Sequence, residues 1–407
     1  MKRTILRLLV ICFLVFSLGG CSTDSNGGKY SYNKEKIDYR VVEGNTEFSF
    51  DLFRELNKED ENNNIFISPL SVSTALTMTY QGARNSTRDG MGEALNYKDI
   101  DNQLLNESYQ NLLGYLGQID DRIELNINNS IWIREGEAIK QDFIEINKNV
   151  FDAYVAELDF SKKDSADKIN RWIKDSTNGK IEKMIDDQIS SNVIMYLINA
   201  IYFKGEWTEQ FEKENTFETE FQAGDGETQE VKMMSKKGEI EYGAGDDFEA
   251  VKLSYGNEKT SMYLILPKGD ASINTFINNM DSVKWEKIRS SISKREDVIL
   301  QIPRFKIEYG IKKLNDSLTN LGMGEAFTDS ADFSGIRDSI FINRVLHKAV
   351  IEVNEEGSEA AGVTVVEMVE SAAMEPITFI ADKPFTFIIA DEDFGTILFM
   401  GKMYNVD

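Results

Sequence analysis

One histidine, His347, two cysteines, Cys12 and Cys21, and a large surplus of carboxylates are the reactive groups this 407-residue chain offers. They do not assemble into a hydrolytic set. A Ser-His-Asp hydrolase moves its proton through a histidine, and His347 stands in LHKAVIEVN, a run that reads as the start of a buried strand. It is expected to be a hydrogen-bonded core histidine rather than a general base. Zinc needs several His or Cys ligands, more than the chain has, so no metal and no cofactor is expected. Gly322-Met323-Gly324 lacks the third glycine of a dinucleotide loop and no Gly-Lys-Ser/Thr run exists; that segment reads as a helix end. Asp391, Asp393 and Gly395 faintly suggest a calcium loop, but a hairpin turn between two apolar strands explains them better. A glycosidase-like carboxylate pair cannot be picked out among 69 Asp and Glu residues.

The stretch with a chemical reading of its own is Glu355 to Glu370, EEGSEAAGVTVVEMVE. Its even positions, Ser358, Ala360, Gly362, Thr364, Val366 and Met368, are small or uncharged, and Glu359 and Glu367 fall on the odd ones. With the period of an extended chain, one face is fit for burial and the other for water. Glycine and alanines weaken the strand propensity, and the run continues through Ser371, Ala372, Ala373 and Met374 without punctuation until Pro376. It reads as a strand held in reserve.

The elements that position this stretch follow from pattern. Phe48, Leu52, Phe53 and Leu56 make a helical stripe from Asn45 onward. A short strand, Ile65 to Ile67, precedes Ser68 and Pro69, an N-cap and a favourable first residue for a helix that ends near Gly82. Ile123 to Ile133 alternates as a strand with one buried face, broken on the apolar side by Asn129. Val193 to Phe203 is nearly continuously apolar, holds the single Asn199, and reads as a strand buried on both faces at the centre of a sheet. Strand-like runs then dominate: Val231 to Met234, Ala250 to Leu253, Met262 to Leu266, Val298 to Ile302, Ala349 to Val353, Ile377 to Ile380, Phe385 to Ile389 and Ile397 to Met400. With no repeat or Pro-rich hinge to divide residues 45–407, one α+β domain is the economical reading.

Composition bounds the function. Forty-five basic against 69 acidic residues give a net charge of −24, which repels phosphate backbones and argues against nucleic-acid binding. Lys2, Arg3 and Arg7 precede an apolar run, Leu8 to Leu18, that is too short to span a bilayer comfortably and ends in LGGC. Small residues directly before Cys21 resemble a bacterial lipoprotein signal, which implies cleavage after residue 20, lipid on Cys21, and an exported chain at the extracytoplasmic face of the membrane or secreted. Residues 22–44, rich in Ser, Asn, Gly, Lys and Glu, read as a spacer, disordered near its start. The domain then holds together without disulfides.

From position 347 onward HKAVIEVNEEGSEAAG, followed by FIADKPFTFII, resembles the hinge and final strands of a serpin. IFISPLSVSTALTMTYQGA, NAIYFKGEW and PRFKIEYGIKKLNDSLTNLGM with ADFSGI agree with the family in order and spacing, so the resemblance covers residues 45–407. The departures are Thr386, where an apolar residue is usual, and Asn85, where a glycine is common. The resemblance implies three β-sheets, A, B and C, about nine helices, a reactive loop at about 355–376 and a metastable monomer. It implies an inhibitor, not an enzyme. A target serine protease becomes acylated on the loop, which then inserts as a new strand of sheet A and traps the acyl-enzyme.

By the same resemblance Glu355, Glu356, Gly357, Ser358, Glu359, Ala360, Ala361 and Gly362 form the hinge. Ser68, Ser71, Asn199 and His347 form a polar shutter under the middle of sheet A, and Gly205, Trp207 and Arg304 belong to the breach where insertion starts. Arg304 is expected to pair with Glu355 as an exposed ion pair worth under ~1 kcal/mol. Counting forward from Glu355 by the family's usual loop length puts the scissile bond at Ser371-Ala372, whereas counting back from Lys383 puts it at Ala373-Met374. Either choice presents a small side chain, suited to the shallow pocket of an elastase-like or subtilisin-like enzyme. No basic residue lies between Glu355 and Lys383 to suit a trypsin-like pocket. A serpin-fold surface lipoprotein that binds a ligand or chaperones a partner without inhibiting anything is the alternative.

Overall fold

Side-chain caps set the starts of the two helices that lead into the domain. Asp38 accepts from the Arg40 N–H and opens the first long helix, Tyr39–Glu59, ahead of the apolar stripe that begins near Asn45. Val41 and Val42 are already buried, so two valines inside a polar composition hid the true start. Ser68 accepts from the Ser71 N–H at 3.2 Å and Pro69 occupies the first turn of Pro69–Tyr80, a helix buried on nearly every side. The computed structural model describes residues 31–269, 271–358 and 376–406, and among them nine α-helices surround three ladders of strands.

The largest ladder has nine strands. Its order runs Ile65–Ile67, Ile397–Met403, Phe385–Asp391, Thr260–Pro267, Phe248–Tyr255, Thr228–Ala244, Ser293–Pro303 and Ile377–Ile380, with Phe217–Gln222 also paired to Thr228–Ala244. Every residue of Thr260–Pro267, Phe385–Asp391 and Ile397–Met403 is buried, as expected of strands that fill the middle of a core. Phe217–Gln222 and Tyr154–Leu158 escaped the sequence reading because their apolar residues do not mark a buried face: Phe217 and Tyr154 are exposed, and no residue of Tyr154–Leu158 is fully buried.

The other two ladders lie on either side of a groove. One holds Tyr154–Leu158, Ile123–Arg134, Met195–Glu206 and the two residues Gly357–Ser358; the other pairs Phe305–Lys313 with Leu346–Val353. Among the described residues no ladder joins Met195–Glu206 to Leu346–Val353. A cavity of about 540 Å³ opens here, lined by Ser71, Leu76, Tyr196, Asn199, Phe333 and His347 among others.

Met195–Glu206 is therefore not the fully enclosed central strand that its sequence suggests. Its odd positions serve the main core and Ile198 serves a smaller one with Trp132, Ile169 and Ile173. One backbone edge is laddered to Ile123–Arg134, and among the described residues the opposite edge has no strand partner below Gly205. Apolar content reports burial of side chains and says nothing about a missing neighbour in the ladder.

Candidate functional site

Gly357 and Ser358, two of the residues expected to form the hinge, lie at the top of this groove. Gly357 pairs with Glu206 and Ser358 with Gly205, antiparallel. Two glycines permit it. Gly357 sits at φ +142, and a Cβ there would lie 2.2 Å from the Gly205 carbonyl oxygen; a Cβ on Gly205 would lie 2.8 Å from the Tyr255 ring. Ser358 is buried and shares a 2.9 Å hydrogen bond with the Tyr255 hydroxyl. Burial pushes the Tyr255 phenol well above its ordinary value, so it stays a neutral hydrogen-bonding partner. Tyr255 stacks on Trp207 with ring centroids 4.4 Å apart. The Trp207 indole donates to Asn354 O at 3.0 Å, and its backbone N–H donates to Glu356 O at 2.9 Å.

Glu355 anchors the turn. Arg304 donates to one carboxylate oxygen through Nε at 2.6 Å and Nη2 at 2.5 Å, and the Thr216 hydroxyl donates to the same oxygen at 2.5 Å. The Glu355 side chain is 2% exposed and that of Arg304 37%, so the pair is half-buried and not the exposed contact expected. Burial pushes the Glu355 carboxyl up, but the bonds from Arg304 and Thr216 outweigh it and hold the group below its ordinary value. Phe211 N donates to Glu355 O at 2.9 Å. Thr216 and Lys213, which pairs with Glu356 at 2.5 Å, went unseen in the sequence because nothing local marks them. Only folding brings 213–216 beside 355–356.

Beneath the groove the four expected polar residues divide into two sets. Ser68 donates its N–H to His347 Nε2 at 3.1 Å and its hydroxyl to Leu398 O at 2.7 Å, while its oxygen accepts from Ser71 N. Burial lowers His347 to about 4, so the ring is neutral and accepts at Nε2. Asn199 turns away from this set and donates to Asn129 Oδ1 at 2.7 Å, and Asn129 donates to Phe151 O at 2.7 Å. The Asn199 Oδ1 is buried with no partner among the described residues. Asn129, the irregularity in its strand, belongs with the polar residues of the groove.

Other sequence features resolve more simply. The buried Asp391 carboxylate accepts from the backbone of Phe394 at 2.8 Å and of Thr396 at 2.7 Å, and Gly395 sits at φ +76; this is a hairpin turn. Asn85 adopts φ +48, a left-handed conformation that asparagine tolerates. Thr386 is buried and donates to Gly401 O at 2.9 Å, which satisfies its hydroxyl in an apolar layer. Glu359, Ala360, Ala361, Gly362, Ser371, Ala372, Ala373, Met374 and Cys21 lie outside the described residues.

The groove has strand edges without partners among the described residues, and the segment 357–358 is paired at its top, so it offers the backbone groups that a further strand would need. Comparison with known proteins agrees: the model of the serpin family, described as serine protease inhibitors, matches residues 43–406. The chain belongs to the serpin family. It is 34% identical to an uncharacterized serpin-like protein of Thermococcus kodakarensis, covering 100% of this chain and 99% of that protein. It is 33% identical to the bovine (Bos taurus) leukocyte elastase inhibitor over 88% of this chain and 97% of the other. Among solved structures, the thermophilic serpin tengpin in its native state superposes with a TM-score of 0.83 at 32% identity, covering 93% of this chain and 96% of that one. A thyroxine-binding globulin complexed with thyroxine superposes with a TM-score of 0.80 at 27% identity, covering 90% and 100%.

Proposed function

We propose that this chain is a suicide-substrate inhibitor of serine proteases that works outside the cytoplasm, held to the membrane by lipid on Cys21. The observation that carries the reading is the groove that no strand fills among the described residues, with Gly357 and Ser358 paired at its top. The protease serine attacks the Ser371 carbonyl, Ala372 leaves as a free amine, and an acyl-enzyme forms; Ala373-Met374 is the alternative bond. The loop from Glu359 onward then follows Ser358 into the groove, antiparallel to Met195–Glu206, and carries the acylated protease with it before water can release it. The uncharged even face from Ala360 to Met368 supports this path, because no charge has to be desolvated on entry. Small side chains at either bond, and the name of the bovine elastase inhibitor relative, favour an elastase-like or subtilisin-like target.

The test incubates the protein with elastase-like, subtilisin-like, chymotrypsin-like and trypsin-like proteases and looks for SDS-resistant complexes. Complexes with the first two, and a new amino terminus at Ala372, are expected. A loop that is nicked without a complex would sink the inhibitory reading and favour a binding protein, as the thyroxine-binding globulin of similar fold is by its name.

A further inference from the structure

The strands beside the groove carry a second set of side chains, turned away from the main core. On Met195–Glu206 these are the even positions: Ile198 belongs to the smaller core, Tyr196 packs on it, and Ala200 is buried. The helix Lys163–Ser176 covers this side through Ile169 and Ile173. A strand added here would therefore be kept from water on both faces over its lower half.

At the foot of this side stand two polar groups. The Tyr196 hydroxyl is buried with no hydrogen-bond partner among the described residues. Burial pushes its phenol above the ordinary value, against the pull of the neighbouring Arg344 guanidinium, so it keeps its proton and can donate. Arg344, just ahead of Leu346–Val353 on the far side of the groove, donates from Nη1 and Nη2 to Asp186 Oδ2 at 3.3 and 3.2 Å. Asp186 is 74% exposed, so that pair is weak and readily exchanged.

The loop residues past Ser358 lie outside the described ones, but two registers fix where insertion would bring them. Gly357 opposes Glu206 and Ser358 opposes Gly205; continued downward, this ladder sets Val365 opposite Ile198 and Glu367 opposite Tyr196. Across the turn Asn354 opposes Gly357, also antiparallel; continued down Leu346–Val353, that pairing sets Val365 opposite Leu346 and Glu367 opposite Arg344. The two extrapolations start from different contacts and meet at the same place. Val365 suits the smaller core, but a carboxylate entering there needs a partner to replace its water. We propose that Tyr196 and Arg344 form a receiving site for the Glu367 carboxylate of the inserted loop, a latch at the foot of the groove that closes only when insertion has reached that depth. The guanidinium opposes the carboxylate as a cross-strand ion pair, the hydroxyl donates to it, and Asp186 is left to water. The proposal rests on the insertion reading above.

The test uses the full chain and reads Tm, at a fixed denaturant concentration, for the uncleaved and the loop-cleaved forms. Glu367→Gln and Arg344→Gln are each expected to lower the cleaved form's Tm by roughly 2–3 °C, the shift that loss of a half-buried pair implies in a chain of this size, and to leave the uncleaved form within ~1 °C of the parent. The double variant falls no further than either single one, because both remove the same interaction, and the exchanged pair Glu367→Arg/Arg344→Glu recovers most of the loss. Tyr196→Phe, which removes a hydroxyl that has no partner in the uncleaved form, lowers the cleaved form alone. Additive losses in the double variant, an exchanged pair no better than the singles, or equal losses in both forms overturn the latch while the parent still gains heat stability on cleavage. A parent that gains none removes the insertion reading itself, and the latch with it.

Discussion

Arg304→Ala and Lys213→Ala each delete one ion pair of the turn at Glu355 and Glu356, and burial makes their costs differ. Without Arg304, the Glu355 carboxylate, 2% exposed, keeps the Thr216 hydroxyl as its remaining side-chain donor among the described residues. Breaking a buried pair costs ~3–5 kcal/mol because an uncompensated charge stays inside. Water already reaches Arg304, whose side chain is 37% exposed, so about 2 kcal/mol is the better figure. With an unfolding entropy of about 2.1 cal/mol/K per residue, a chain of this size has a Tm lower by roughly 2–3 °C. Lys213, 60% exposed, leaves Tm within error. Scanning calorimetry of the uncleaved protein at low and high salt decides, since salt screens an exposed pair more than a buried one. Glu355 lies below its ordinary value, so its stabilisation is complete above the unfolded carboxyl range and is lost as pH falls through and below it. Arg304→Ala therefore flattens the acid limb of the parent's stability curve. Equal falls for the two variants, or an Arg304→Ala effect that vanishes in salt, would refute the burial argument.

His347, lowered to about 4 by burial, contributes stability that is whole above its unfolded value near 6.5 and drains away as pH drops from there to about 4, by about 3 kcal/mol at most. Subtracting the Tm-against-pH curve of His347→Gln from that of the parent isolates it, and parallel curves would exclude it. Gly357→Ala places a Cβ against a backbone oxygen at a φ that glycine favours; the strain, about 1–3 kcal/mol, unpairs Gly357 and Ser358 from Met195–Glu206 and exposes the Trp207–Tyr255 stack, read as a shift in tryptophan emission. Lys402, fully buried, donates to Asn57 Oδ1 and Asp60 O at 2.8 Å, Glu61 O at 3.0 Å and Asn274 Oδ1 at 3.1 Å. Lys402→Met strands those four oxygens, and a loss of about 2–4 kcal/mol in denaturant titration is expected.

Local chemistry was legible and long-range pairing was not. The Ser68 cap, the hairpin at Asp391 and the strand Ile377–Ile380 follow from neighbours within a few residues, and they lie where the sequence puts them. Tyr32–Asp38 is docked on the domain and looked like spacer because its partners, Asn111, Tyr115 and Asp393, are remote in sequence. The groove was invisible for a different reason: Met195–Glu206 carries the side chains of an enclosed strand, and an unpaired backbone edge leaves no mark on side-chain composition. Arg304 and Glu355 could be matched from the family resemblance, but Thr216, which completes the burial of the carboxylate, had no signal at all.

Asn199 shows how the unpaired edge and the reserve strand fit each other. Continued downward from Ser358 and Gly205, the antiparallel register of an inserted loop brings Ala360 opposite Phe203, Gly362 opposite Ile201, Thr364 opposite Asn199 and Val366 opposite Leu197. Opposed residues of such a ladder share a face; Ile201 belongs to the main core, and Phe203 and Leu197 are partly buried against it. The register therefore delivers the uncharged face of the loop to that core, and Glu359 falls opposite Lys204 on the other side. Thr364 carries the single hydroxyl between Ser358 and Ser371, and it arrives at the one strand position in this series whose buried oxygen, Asn199 Oδ1, has no partner among the described residues. A threonine donates there where valine cannot. Thr364→Val should lower the Tm of the loop-cleaved form by the cost of one unsatisfied buried acceptor, about 1–3 kcal/mol, and leave the uncleaved form unchanged. An equal effect on both forms, or none on the cleaved one, would show that the loop enters in another register.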